Sequence, residues 1–592
     1  MVLKFKFWMD YSNGVVEKVA RRVAEEVGVK WSILYPPEGV ELFVEGSVEG
    51  LTLFSNRLGE ELPLSIFIDG IKVEAAEELP PPQFRPLPAL SLPPCPRCLR
   101  EVKDPAHFAY CNPFHRCEVC GYRVKGEWEF NRREIGEVEG WEQFWEKVVA
   151  KLGEEGEIIL QTMTGLKRIT TNLEGVDRVV AKDLGEVAAL FHAFEGDEKG
   201  LASIEKPALY LLTSLQFKKR FNSTRPAYWV QLPDDLILEL LFFKGDFSLL
   251  GIESVGPEFG SRALLRFEVE EERPLKGVVT ETAVKKVIVT EGERGLYPHL
   301  LPLPLKGEVV FSRFKAVGDE EKVEVAPVPS DSPSSDSPIC DRFDVATAGF
   351  MGVRAGWKLE EKGVVGYSLY KTAPSRVVVD SPKTGFINYL EFQFHFSDGG
   401  EVLAQIAQMN ETGKRLASNF QKREPELVSR LLQTPLNSHL SGLYYLWGVV
   451  GVVVGVAESV EEGAKKVVEL ANSTLTKKGP RIDYRVQNQK LDPLWVIRTA
   501  VSFKLAGVEP GLLCYGVLES GAEFLSNIYD TLNREVELEG AILVGDLLEG
   551  VFLNKLYTYI AKNYRVYTPR GLGVSGGVEA LGYLSLANRF GE

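Results

Sequence analysis

Hydrophobic and polar positions alternate in a clear order over the first 80 residues. KFKFWM at the start has the period of two of a strand, and SNGVVEKVARRVAEEVG carries Val15, Val16, Val19, Ala20, Val23, Ala24 and Val27 on one helical stripe, with Ser12 or Asn13 as its cap. WSILY and VELFVEG read as a hairpin around PPEG, LTLFSNRLGEEL as a second helix and LSIFIDGIKVEAAE as a last strand. The order β-α-β-β-α-β is that of a ferredoxin-like split motif.

A proline-rich stretch, LPPPQFRPLPALSLPP, follows and reads as a stiff linker. Beyond about Trp141 helical and extended patterns alternate. GWEQFWEKVVAKLGEEG and KDLGEVAALFHAFE are helical, while EIILQTM, ALYLLTSL and VKKVIVTE are strands, which predicts an α/β domain. APVPSDSPSSDSP at 326–338 has the composition of a solvated tether, and helices mix with strands such as SRVVVDS and AILVGDL after it. The expected division is 1–80, 81–130, 131–315, a flexible linker at 316–340, and 341–592, in an α/β multidomain chain.

LSGLYYLWGVVGVVVGVA, residues 440–457, is the one long uncharged run. A membrane helix needs about 20 such residues, and no Lys or Arg anchors either end, so a buried core helix or strand pair is the plainer reading. The N-terminus has no apolar signal core, and a cytoplasmic protein is expected. With 83 acidic against 68 basic residues the formal net charge is −15, which disfavours a polyphosphate backbone as partner.

Seven cysteines are present, and five lie between positions 95 and 120. Cys95/Cys98 and Cys117/Cys120 form two C-x-x-C knuckles with 18 residues between them. Two such turns present four thiolates to a tetrahedral Zn²⁺ and leave no open position, so the expectation is a structural zinc site. His107, Cys111 and His115 lie between the knuckles, and loop packing is their plainer role.

The knuckles at this spacing, with NPF and C-G-Y-R beside them, resemble the zinc module of the HypF family, carbamoyltransferases of [NiFe]-hydrogenase maturation. The resemblance implies an acylphosphatase-like domain of ferredoxin-like fold, a zinc module, a YrdC-like α/β domain and an actin-like transferase domain, in the order read above. The family's usual second four-cysteine module is missing.

The same resemblance raises doubts about chemistry. In the family an arginine opens the first helix and holds an acyl phosphate; here Lys18 falls at that position, beside Glu17, and Tyr35 replaces an asparagine. Lysine lacks the bidentate fork of arginine. The basic loop that would hold ATP phosphates is reduced to Lys167, Arg168 and Arg178. EGVFLN (549–554) and VSGGVEALGY (574–583) resemble the family's nucleotide-side and metal-side turns, which makes Gly550, Asn554, Gly576 and Gly577 the candidate cofactor-binding residues. Glu549 stands at a glycine position, Ser575 at that of a metal-binding aspartate, and the six histidines form no cluster at helical spacing outside the zinc region.

The expected function is a catalytically degraded scaffold or adaptor whose partner is a hydrogenase or hydrogenase maturation protein. Two alternatives stand beside it: a divergent carbamoyltransferase using carbamoyl phosphate and ATP, and an RNA-binding or tRNA-modification protein. Zinc is the expected cofactor, and the residues leave the retention of ATP open.

Overall fold

The structure is a computed structural model describing residues 1–36, 38–85, 93–117, 122, 127–193, 195–267, 278–283, 286–291, 299–328, 337–476, 478–487 and 490–591. The chain divides into two compact units. One comprises Met1–Glu281, Glu291–Leu300 and Glu324–Asp331; the other comprises Thr282–Thr290, Leu301–Val323 and Ser332–Glu592.

The first unit opens with β1 (Val2–Met9), α1 (Val15–Val27), β2 (Lys30–Leu34), β3 (Gly39–Glu45), α2 (Val48–Glu61) and β4 (Ile68–Ala76). The sheet order is β2-β3-β1-β4, and neighbouring strands are antiparallel. Phe5 and Phe7 of β1 pack under Val16, Val19 and Val23 of α1 and Phe54 of α2, so the alternation of the strand and the stripe of the helix meet in one core. The cap of α1 differs from expectation. It is Gly14, whose φ of 84° suits a residue without Cβ, while Ser12 and Asn13 serve the turn before it by accepting from the amides of Gly14 and Val15.

A seven-stranded sheet follows in the order Glu157–Thr162, Gly165–Thr170, Leu249–Ser254, Arg178–Ala181, Ala227–Gln231, Leu209–Thr213, Phe191–His192. Phe144, Trp145, Val148 and Leu152 of the helix Trp141–Glu155 share a core with the apolar helix Leu236–Lys244.

The second unit centres on a five-stranded sheet in the order Gly385–Glu391, Arg376–Ser381, Val364–Ser368, Gly540–Val544, Arg565–Tyr567. The first two junctions are antiparallel and the last two parallel. Val365 and Tyr367 face a helical layer, and Gly366 faces Phe350 of the helix Val345–Gly356 on the opposite side. The apolar run at 440–457 is part of the helical layer, as the buried helix Gly442–Val453. Its glycines have a packing reason: a Cβ on Gly448 would lie 2.4 Å from the carbonyl oxygen of Val460, and one on Gly451 2.8 Å from the Cα of Gly463. The helix therefore packs backbone to backbone on Val460–Asn472, which its valines alone would not permit. Among the described residues no helix is long and apolar enough to cross a membrane.

One expected boundary differs. Residues 316–327, read as the start of a linker, include most of the strands Phe314–Asp319 and Val323–Pro327. Ala316, Val323 and Val325 are buried there, so a short period-two pattern was hidden by the charged turn GDEEK between the strands. Residues 329–336 of the tether lie outside the described residues.

Candidate functional site

Three of the four expected thiol ligands come together. Cys95 caps the helix Pro96–Lys103 and Cys98 sits in its first turn, while the backbone amide of Cys117 donates to the carbonyl of Tyr122 in the second knuckle. The Cys95 sulfur lies 3.7 Å from that of Cys98 and 3.9 Å from that of Cys117. Tetrahedral sulfurs on a metal with bonds of about 2.3 Å stand about 3.8 Å apart, so this buried group fits one ion. Cys120 lies outside the described residues. The residues between the knuckles pack. His115 Nε2 lies 2.7 Å from Glu101 Oε2, the Cys111 carbonyl accepts from the Trp145 indole at 2.9 Å, and His107 Nδ1 accepts from the Ala109 amide.

At the start of α1 a carboxyl group occupies the place where an anion would be expected. Glu17 is buried, and the Ser12 hydroxyl lies within hydrogen-bond distance of both its oxygens, at 2.8 and 2.7 Å. Burial pushes the Glu17 carboxyl up, against the pull of the Ser12 hydrogen bond. Burial, reinforced by Glu17, also pushes the Tyr35 phenol to about 12, and the Arg85 guanidinium lies 5.4 Å over its ring. Asn13 is turned elsewhere, donating to Glu205 at 2.8 Å. Lys18 sits one residue beyond Glu17, half-buried, with its amide donating to the Gly14 carbonyl.

Lys167 and Arg168 are adjacent on the strand Gly165–Thr170 and therefore point to opposite faces of the sheet. Lys167 Nζ donates to Ser254 Oγ at 2.8 Å. Arg168 pairs with Glu253 at 2.5 Å and with Glu157 at 3.6 Å. Arg178 lies on the strand Arg178–Ala181, its guanidinium 3.5 Å from Gln231 Oε1. The three cations do not converge on one loop.

In the second unit the candidate glycines flank the carboxyl ends of the parallel strands Val364–Ser368 and Gly540–Val544, the position where open sheets hold ligands. Gly550 begins the helix Gly550–Ala561, with φ of 50°. Asn472 Oδ1 accepts from the next amide, that of Val551, at 2.9 Å, and a Cβ on Gly550 would lie 2.3 Å from that oxygen. Asn554 Oδ1 accepts from the Ala283 amide at 3.0 Å. Gly576, at φ 100°, is covered by the Phe314 ring, with Cε2 2.5 Å from where its Cβ would be. Gly577 opens the helix Gly577–Phe590, and Glu579 in its first turn accepts from the Gly576 amide and from the Tyr370 hydroxyl, the latter at 2.6 Å.

A charged cluster links these strand ends. Lys371 Nζ lies 2.9 Å from Glu549 Oε1, and the Lys371 amide donates to Asp546 Oδ1 at 2.7 Å. Burial alone would lower the Lys371 ammonium, but the Glu549 carboxylate outweighs it and the net displacement is upward. Burial raises Asp546 and pushes the Glu579 carboxyl up to about 8. The sequence reading missed Lys371, Asp546, Glu579, Asn472 and Phe314. Asp546 and Glu579 lie in or beside the turns singled out as candidates, but no spacing signals Phe314 or Asn472, which reach the glycines only through tertiary packing.

Comparison with known proteins agrees with this architecture. No family model matches the sequence. The chain is 28% identical over 559 residues to Protein HydE of Wolinella succinogenes, covering 89% of this chain and 90% of that protein. The crystal structure of full-length HypF in the phosphate- and nucleotide-bound form matches with a TM-score of 0.65 at 14% identity, over 100% of this chain and 98% of the other. The crystal structure of T. kodakarensis HypF matches with a TM-score of 0.63, also at 14% identity and with the same coverage. The mixed α/β multidomain fold of this chain thus matches that of the two HypF structures over its whole length.

Proposed function

We propose that this chain serves in the maturation of a metalloenzyme, a [NiFe] hydrogenase by its HypF likeness, as a scaffold without carbamoyl-transfer activity. The reading assigns acylphosphatase-like, YrdC-like and actin-like parts to β1–β4, the seven-stranded sheet and the five-stranded sheet. It assigns a structural Zn²⁺ to Cys95, Cys98, Cys117 and Cys120. One observation supports it: the turns that resemble the family's nucleotide-side and metal-side motifs are filled by the protein's own side chains. Asn472 caps the helix at Gly550, Phe314 covers Gly576, and Lys371 is already paired with Glu549. The buried Glu17 at the start of α1 supports the same reading, because a carboxyl group at a helix N-terminus takes the place of an anionic ligand.

In such a scaffold the HypF-like surface holds a client or maturation partner while the metal clamps two short turns. The test is incubation with carbamoyl phosphate and ATP, following phosphate, pyrophosphate and AMP, alongside co-purification from cells making a hydrogenase. The expected result is no turnover together with capture of a hydrogenase or maturation protein. Turnover that disappears in Lys167→Ala or Arg168→Ala overturns the scaffold reading in favour of a divergent carbamoyltransferase.

A further inference from the structure

Two packed helices of the second unit carry a charge opposite to that of the chain. The helix Glu411–Arg423 holds Lys414, Arg415, Lys422 and Arg423, and the helix Pro493–Leu505 holds Arg498 and Lys504, against the one carboxylate of Glu411. The whole chain has 83 acidic and 68 basic residues. Phe420 of the first helix shares a core with Val496, Ile497, Ala500 and Val501 of the second, and Arg423 Nη1 donates to the Leu505 carbonyl at 3.3 Å. On the other side of the first helix Lys414, Arg415, Ser418, Asn419, Gln421 and Lys422 are exposed. Among the described residues none of the six cations is in an ion pair, and Glu411, four positions before Arg415, does not reach it. At the same spacing Arg21 and Arg22 do pair with Glu25 and Glu26. Arg498 Nε is buried without a hydrogen-bond partner, its guanidinium 4.8 Å from the centre of the Trp495 ring, and Arg485 lies 3.7 Å over the same ring.

We propose that the exposed side of Glu411–Arg423 binds an acidic helical segment of a partner protein. Lys422 and Arg423 offset the partial negative charge at the end of their own helix. Lys414 and Arg415 stand near the opposite end, where the dipole disfavours a cation, so local structure gives no reason for them. Arg415 and Lys422 lie two turns apart on one side of the helix, about 10 Å at 1.5 Å per residue, with uncharged Asn419 between them. A partner helix with carboxylates two turns apart repeats that spacing and closes both contacts at once. Among the described residues of these two helices no large apolar side chain is exposed, so recognition rests on charge. A nucleic acid suits the face less well. The Trp495 ring already carries two guanidiniums and is not free to stack on a base, and a longer phosphate backbone would meet the net negative remainder of the chain. The inference does not rest on the scaffold reading, because the charge of this face is the same in an active enzyme.

Fluorescence polarisation with the full chain tests it. The probe is a labelled alanine-rich helical peptide of about 18 residues, long enough to hold a helix, with two pairs of glutamates two turns apart. A glutamine counterpart and a single-stranded RNA serve beside it. The acidic peptide should bind and weaken at least tenfold between about 50 and 300 mM NaCl, as a contact between exposed charges does, while the glutamine peptide should not bind. Arg415→Glu with Lys422→Glu should weaken the acidic peptide at least tenfold, with the circular dichroism and melting of the wild type retained because both side chains are exposed. Lys218→Glu with Lys219→Glu, a reversal of two exposed cations in the first unit, should leave binding unchanged. Three results overturn the proposal: no binding of the acidic peptide at the lower salt, equal loss in both double variants, or RNA bound as tightly as the peptide.

Discussion

Replacing Glu579 by glutamine perturbs the charge at the start of the last helix without changing its shape. The carboxyl is 1% exposed, and burial, against the opposing hydrogen bonds from Tyr370 and Gly576, moves it from 4.5 to about 8. The folded state therefore holds this proton more tightly than the unfolded chain. Its contribution to stability is fully present below about pH 4.5 and is lost as pH rises through about 8. The full displacement corresponds to about 5 kcal/mol, and most of it, roughly 3 to 4 kcal/mol, falls between pH 5 and pH 8. Glutamine cannot ionise. It also turns an amide NH₂ or a carbonyl toward the Gly576 N–H, but any cost of that exchange is the same at every pH and cancels in the comparison. Urea unfolding of wild type and Glu579→Gln, followed by circular dichroism at pH 5, 6, 7 and 8, reads the quantity directly. The stability of the wild type relative to the variant should fall by roughly 3 to 4 kcal/mol over that range. A difference that stays within about 1 kcal/mol from pH 5 to pH 8 would refute the assignment of Glu579 as a buried, largely protonated acid.

Three further outcomes follow from the packing. Cys98→Ser should reduce bound zinc, measured by elemental analysis, from about one equivalent per chain to near zero and lower the melting temperature, because tetrahedral sites of this kind contribute directly to folding. Asn472→Ala should cost about 1 kcal/mol in urea unfolding by uncapping the helix Gly550–Ala561, and Asn472→Asp should retain most of it. Trp447→Ala should cost about 3–5 kcal/mol, since its ring is fully buried against Phe552 and its indole N–H donates to Tyr484.

Local periodicity and spacing account for much that was readable in advance. The alternation of Phe5 and Phe7 and the stripe from Val15 to Val27 specified strand and helix because each face needs only one partner surface to bury it. The C-x-x-C spacing pointed to a metal site because two thiols three positions apart in a tight turn converge without help from the rest of the chain. The strands within 316–327 escaped notice because their buried positions are few and are separated by charged residues.

The chain alone thus determined the order of its elements and the turns that bring its cysteines together, all properties of neighbours in sequence. Tertiary structure alone decided what occupies the places where chemistry was expected. Phe314 lies far from Gly576 in sequence and Asn472 far from Gly550, yet each covers its glycine. Lys167 and Arg168 are neighbours in sequence and are parted to opposite faces by the pleat of the strand. Whether a cradle stands open or filled depends on side chains brought in from distant segments, and no local pattern encodes that distance.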